Sequence, residues 1–139
     1  MNAAFVVDAS IAFAWVYPGQ ASAETDRMLE EVETGAAVVV PSLWFLEVAN
    51  ALLAAQRRKL LAASERRTAL EKLSRLTFTV DEESSRSAFR KTSELAEKYG
   101  LSVYDAAYLE TALSRRLPLA SRDQVLRKAA TQCGLKVRG

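Results

Sequence analysis

Short apolar runs alternate along this chain with longer stretches in which apolar residues recur three and four positions apart. The runs are Phe5-Val6-Val7, Ala37 to Val40 (closed by Pro41), Phe78 to Val80, Leu117 to Ala120 and Leu135 to Val137. All are short and mostly apolar or β-branched, the composition of strands buried on both faces. Between them the pattern predicts helices over Ala21 to Thr34, Ser42 to Gln56, Ala62 to Arg75, Glu82 to Tyr99 and Gln124 to Cys133, with a further helix opening near Ser10. Gly35, Gly100 and Gly134 follow three of these stretches, where a helix wants a left-handed C-terminal residue. Strands alternating with helices of this length predict an α/β domain, a parallel sheet wrapped by helices. No repeat, low-complexity tract or linker divides the chain, so residues 1–139 are expected to form one domain. In such sheets ligands bind beyond the carboxyl ends of the strands, at a switch in strand order.

Composition then narrows the chemistry. The 139 residues include 19 Lys+Arg against 17 Asp+Glu, one cysteine (Cys133) and no histidine. Without histidine there is no Ser-His-Asp or Cys-His nucleophile, no imidazole base and no His-ligated zinc. A lone cysteine excludes an internal disulfide and a Cys-rich metal cluster, as suits a reducing compartment. Among five glycines there is neither G-x-G-x-x-G nor G-x-x-x-x-G-K-[ST], which disfavours the common nucleotide-binding loops. No apolar stretch approaches the ~18 residues of a membrane span. The opening MNAAFVVDAS lacks a basic residue ahead of its apolar run, so it is not expected to be a secretory signal. Catalysis, if present, must rest on carboxylates, lysine, hydroxyls or a metal held by oxygen.

Four acids stand where that chemistry would need them. Asp8 directly follows the first apolar run and suits either a helix N-cap or a strand-end ligand. Glu47 interrupts the apolar stretch Leu43 to Leu53, where a carboxylate is costly unless paired or bound to a cation. Asp105 follows Ser102-Val103-Tyr104 in the form of a capping box. Ser121-Arg122-Asp123-Gln124 reads as another, with Ser121 at the N-cap and Asp123 in the first turn. In a parallel sheet the strand ends share one edge, so the four carboxylates can converge. Like charges gathered there require a cation, and oxygen-only donors select Mg²⁺ or Mn²⁺. Such a site can activate water for phosphodiester cleavage.

The residues at these positions resemble a known family. VVDAS (Val6 to Ser10), LEVANALL (Leu46 to Leu53), SVYDAAYLETAL (Ser102 to Leu113) and PLASRDQVLRKAA (Pro118 to Ala130) are similar to the motifs of PIN-domain proteins, and more narrowly of VapC-type toxins of toxin–antitoxin pairs. The resemblance implies a three-layer α/β/α fold with a central parallel sheet of about five strands. It implies a cytoplasmic Mg²⁺-dependent endoribonuclease, with Mn²⁺ as a possible substitute, that forms a homodimer and is silenced by a VapB-type antitoxin protein. On the family pattern Asp8, Glu47, Asp105 and Asp123 form the acidic pocket, with Asp8 and Asp105 as direct ligands and Glu47 and Asp123 completing the shell. Ser10 and Ser121 match supporting hydroxyls; Ser121 stands where the family more often carries Thr. The implied reaction is in-line attack of a metal-activated water, leaving a 5′-phosphate and a 3′-hydroxyl.

An RNA substrate would need cations around such a pocket. Candidates are Arg57-Arg58-Lys59, Arg115-Arg116, Arg122 and Arg127-Lys128, with Arg122 favoured because it adjoins Asp123. Setting four of the 17 acids aside leaves 13 facing 19 basic residues, which gives the near-neutral total a cationic remainder. Trp44, Tyr104 and Tyr108 could stack bases, although aromatics at helical spacing more often pack in a core. A catalytically inactive PIN-like module that binds RNA or protein is the alternative. A haloacid-dehalogenase phosphatase would want a second Asp two residues after Asp8, where Ser10 stands. A receiver domain would want an acid beside Asp8, and there is none.

Overall fold

A computed structural model describes residues 3–139; Met1 and Asn2, the start of the segment read above for a secretory signal, lie outside the described residues. Five strands form one sheet: β1 (Ala4–Val7), β2 (Ala37–Pro41), β3 (Phe78–Asp81), β4 (Leu119–Ala120) and β5 (Val137–Arg138). Their order is β3-β2-β1-β4-β5, and every neighbouring pair is parallel. Seven α-helices connect them: α1 (Ala9–Val16), α2 (Ala23–Glu33), α3 (Leu43–Arg57), α4 (Ala63–Ser74), α5 (Ser93–Tyr99), α6 (Val103–Arg115) and α7 (Gln124–Gln132). Helices α1 to α4 pack on one another, and α5 to α7 do likewise, so the sheet lies between two helical layers. This is the three-layer α/β/α architecture expected from the sequence.

The central strand explains the apolar runs. Phe5, Val6 and Val7 on β1 are fully buried, as are Val38 and Val40 on β2 and both residues of β4. A strand flanked on both edges and covered on both faces has no solvent side, so it reads as continuous hydrophobic sequence. Burying each such side chain favours folding by about 1.5–3 kcal/mol relative to leaving it in water.

The first connections lead from β1 outward to β2 and β3, whereas the chain then returns to place β4 on the other side of β1. The sheet therefore has its switch point between β1 and β4, where a crevice forms beyond the strand ends. Val7 pairs with Ala120 there, and the next residues in register are Asp8 and Ser121.

Two local expectations need correction. The helix predicted over Glu82 to Tyr99 is turns through Ser87, then a π-helical segment at Ala88–Thr92, then α5. Asp81 redirects the start of this stretch: its carboxylate accepts from Glu83 N at 3.2 Å and its carbonyl from the Ser84 hydroxyl at 2.9 Å. Such Asx-type bonding offers the backbone an alternative to a helical turn. The second correction concerns α7. Its N-cap is Asp123, whose side chain accepts from Leu126 N, and not Ser121. Ser121 is fully buried and bonds elsewhere.

Candidate functional site

The crevice is built around Asp8. As N-cap of α1, its Oδ1 accepts from Ser10 N at 3.0 Å and Ile11 N at 3.3 Å, and from the Ser10 hydroxyl. Its Oδ2 accepts from the Ser121 hydroxyl. The two serines are themselves held by the loop after β4: Ser10 Oγ accepts from Arg122 N and Ser121 Oγ from Asp123 N, each at 3.0 Å. Trp44 braces the same residue from α3, its indole N–H donating to the Asp8 carbonyl at 3.3 Å. Asp8 is thus the N-cap of α1, and capping through Oδ1 leaves Oδ2 turned to Ser121, so a cap role does not preclude a ligand role.

Asp105 sits in the first turn of α6, capped by Ser102, whose hydroxyl accepts from Asp105 N at 3.0 Å. Glu47 is half-buried on α3 and accepts from the Tyr108 hydroxyl. Asp123 is exposed at the start of α7.

The charges of the other three acids are felt at Asp105. Burial pushes the Asp105 carboxyl above its ordinary range, and the charges of Asp123, Glu47 and Asp8 push it further, in that order. Burial also raises Asp8, against the lowering effect of hydrogen bonds from Ser10 and Ser121. The Tyr108 phenol is raised by burial first, then by its bond to Glu47 and by the charges of Glu47, Asp8 and Asp105. Among the described residues none of the four acids forms an ion pair. Uncompensated, mutually repelling carboxylates are the electrostatic signature of a cation site.

A family model for the PIN domain matches residues 5–132. The chain belongs to the PIN-domain family. Solved structures agree on the fold of this PIN domain. The chain is similar to PAE2754 from Pyrobaculum aerophilum, with 25% identity, a TM-score of 0.71, and coverage of 99% of this chain and 85% of that one. It is similar in fold to VapBC2 from Rickettsia felis, solved bound to a DNA fragment from their promoter, at 14% identity, TM-score 0.65, and 96% of each chain. VapBC-5 from Mycobacterium tuberculosis, of the VapBC family of toxin–antitoxin systems, is matched at 20% identity, TM-score 0.57, and 97% of each chain. Among curated proteins, none matches the chain in sequence.

The donor set of this PIN domain fits a hard divalent cation, within limits the geometry sets. Asp8 Oδ1 already accepts three bonds, whereas Oδ2 accepts only from Ser121 among the described residues, so Oδ2 keeps an open lone pair. No group of three or more carboxylates or thiols among the described residues is close enough to hold one ion together. A cation here would therefore take few direct protein ligands and keep much of its water, as Mg²⁺ does.

The basic candidates fall into different surroundings. Arg122 turns its guanidinium toward the Gln20 carbonyl while its backbone serves Ser10. Arg115 lies 3.5 Å from the buried Asp81, which also accepts from the Thr111 hydroxyl at 2.9 Å. Arg116 is the exposed, left-handed C-cap of α6. Sequence reasoning missed two of these relationships. Its sequence context assigns Tyr108 to base stacking or the core, whereas in the structure it is the hydrogen-bond partner of Glu47. Its spacing of three from Asp105 was the available signal, since it places both on one helix face. Asp81 gave none, because a strand-end acid beside two further acids reads as an exposed helix start.

Proposed function

We propose that this PIN domain is a metal-dependent endoribonuclease, the toxin of a VapBC-type toxin–antitoxin pair. The observation that carries the reading is Asp8, a buried carboxylate without a cationic partner at the β1–β4 switch point, whose charge is felt at the partly desolvated Asp105. The similarity in fold to VapBC proteins supports the toxin assignment, and a VapB-type antitoxin is the partner it implies.

Asp8 Oδ2 and the Asp105 carboxylate would hold Mg²⁺ or Mn²⁺, with Glu47 and Asp123 acting through its water shell. The bound cation supplies a water of lowered pKa and neutralises charge that builds up on a phosphodiester. The chain's own residues do the positioning. Ser10 and Ser121 fix the plane of the Asp8 carboxylate, and the backbone N–H groups of Arg122 and Asp123 fix the serines. Attack of water on phosphorus with departure of the 3′-oxygen would leave a 5′-phosphate and a 3′-hydroxyl, a route that needs no histidine.

The test is cleavage of RNA by the purified protein with Mg²⁺ and with EDTA, read by the chemistry of the new ends. Asp8→Asn and Asp105→Asn should each reduce Mg²⁺-stimulated cleavage to background while leaving the circular dichroism spectrum intact. Full cleavage by either variant would overturn the assignment. Absence of cleavage by the wild type would favour an inactive module that binds RNA or protein. Arg122, Arg115 and Arg116 remain the proposed RNA contacts, a homodimer the proposed assembly and the cytoplasm the proposed compartment. Among the described residues no helix is long and apolar enough to cross a membrane.

A further inference from the structure

We propose that Tyr108 is a positioning residue of this site: its phenol holds the Glu47 carboxylate so that one oxygen is fixed and the other is turned to the acidic crevice. The inference rests on the reading of Glu47 as part of the site. Tyr108 is 1% exposed, and its hydroxyl donates to Glu47 Oε1 at 2.5 Å. Glu47 belongs to α3 and Tyr108 to α6, which lie in opposite helical layers, so the bond clasps the two layers across the sheet. Glu47 has three rotatable bonds and exposed neighbours in Phe45 and Leu46, so its own helix does little to fix its carboxylate. Tyr108 is fixed, because its ring is packed in the core and its backbone stands one helical turn from Asp105. A single rigid helix therefore presents one acid directly and orients a second through a hydroxyl.

A bond that served only to join the layers would affect stability and nothing else. A positioning bond would affect how the site receives a cation; removing a group that orients a direct ligand typically costs about 10–100-fold in metal affinity or activity, and Glu47, acting through the cation's water, belongs at or below the low end of that range. The experiment is Mn²⁺ binding to the full chain, followed by calorimetry and by the electron paramagnetic resonance of free Mn²⁺, together with steady-state RNA cleavage. Tyr108→Phe, which keeps the ring, should weaken Mn²⁺ binding severalfold, up to about tenfold, and lower kcat with little change in KM for RNA. In a Glu47→Ala background the same substitution should add nothing, because the group it orients is gone. Unchanged Mn²⁺ affinity in Tyr108→Phe, additive losses in the double variant, or an unfolded Tyr108→Phe protein would each overturn the proposal. Wild-type protein that binds no Mn²⁺ would overturn the functional reading and this inference together.

Discussion

At Asp8, one carboxylate oxygen is taken up by backbone N–H groups and the Ser10 hydroxyl, and the other is shared between Ser121 and the crevice. Ser121 is fully buried, so its loss leaves an acceptor without its donor and Asp123 N without its acceptor. Leaving buried polar groups unpaired costs about 1–3 kcal/mol. Ser121→Ala should lose stability in that range by urea titration and lose most cleavage activity, whereas Ser121→Thr should retain both. Another buried acid, Glu110, lies outside the site. Its Oε2 has no hydrogen-bond partner among the described residues. Burial raises its carboxyl, as do Asp81 and Glu83, against the opposing charge of Lys91. A raised pKa in the folded state means that the native protein binds the proton more tightly than the unfolded chain. Stability contributed by this group is therefore lost as pH rises from the ordinary 4.5 through the raised value. Glu110→Gln mimics the protonated form and should be more stable than wild type at pH 7, with the gap closing below pH 4.5. A gap that widens on acidification would refute this sign.

Among the elements, α3 does the most to shape the site. Trp44, near its start, is 2% exposed, stacks against Phe45 and Phe78, and bonds the Asp8 carbonyl. Truncating a large buried aromatic typically costs 3–5 kcal/mol. Trp44→Ala should fall in that range by chemical denaturation, and any protein that remains folded should cleave RNA poorly because Asp8 loses a brace. The elements also show where local sequence is a sufficient guide. Helix α2 begins at Ser22, whose side chain and that of Thr25 cap each other's backbone, and its C-terminal end meets Gly35 in a positive-φ conformation. Both signals are contained within a few residues. The segment from Glu82 to Ser87 carries helix-forming residues but belongs to the Asp81 turns, whose carboxylate is fixed by Thr111 and Arg115 from α6. The deciding partners lie 30 and 34 residues away, beyond the reach of local propensity.

For the molecule as a whole, the inner apolar runs were legible because β1, β2 and β4 are covered on both faces, whereas the edge strands β3 and β5 are only partly buried and read more weakly. Asp8, Asp105 and Asp123 stood out in the sequence because each adjoins a strand end or helix start, and Glu47 because it interrupts an apolar helix. What the runs could not convey is their order in the sheet, since the pairing of β1 with both β2 and β4 is a long-range choice. The Tyr108–Glu47 bond, spanning 61 residues, was hidden for the same reason. One expected outcome belongs at this scale. A ligand that binds only the folded protein stabilises it by about 2.7 kcal/mol at a concentration a hundred times its Kd. Mn²⁺ should therefore raise Tm by several degrees in wild type and much less in Asp8→Asn, as scanning fluorimetry with and without EDTA would reveal.

Because β4 closes onto the central strand, Asp8 and the hydroxyl that secures it are separated by 113 residues of chain. A ribosome adding roughly 5–20 residues per second needs about 6–23 s to cover that distance. For that interval the growing polypeptide carries its first acid without the serine, the second helical layer or the last acid. On the proposed reading the site would be assembled late in translation, and a chain interrupted before Ser121 would lack both that hydroxyl and the last acid.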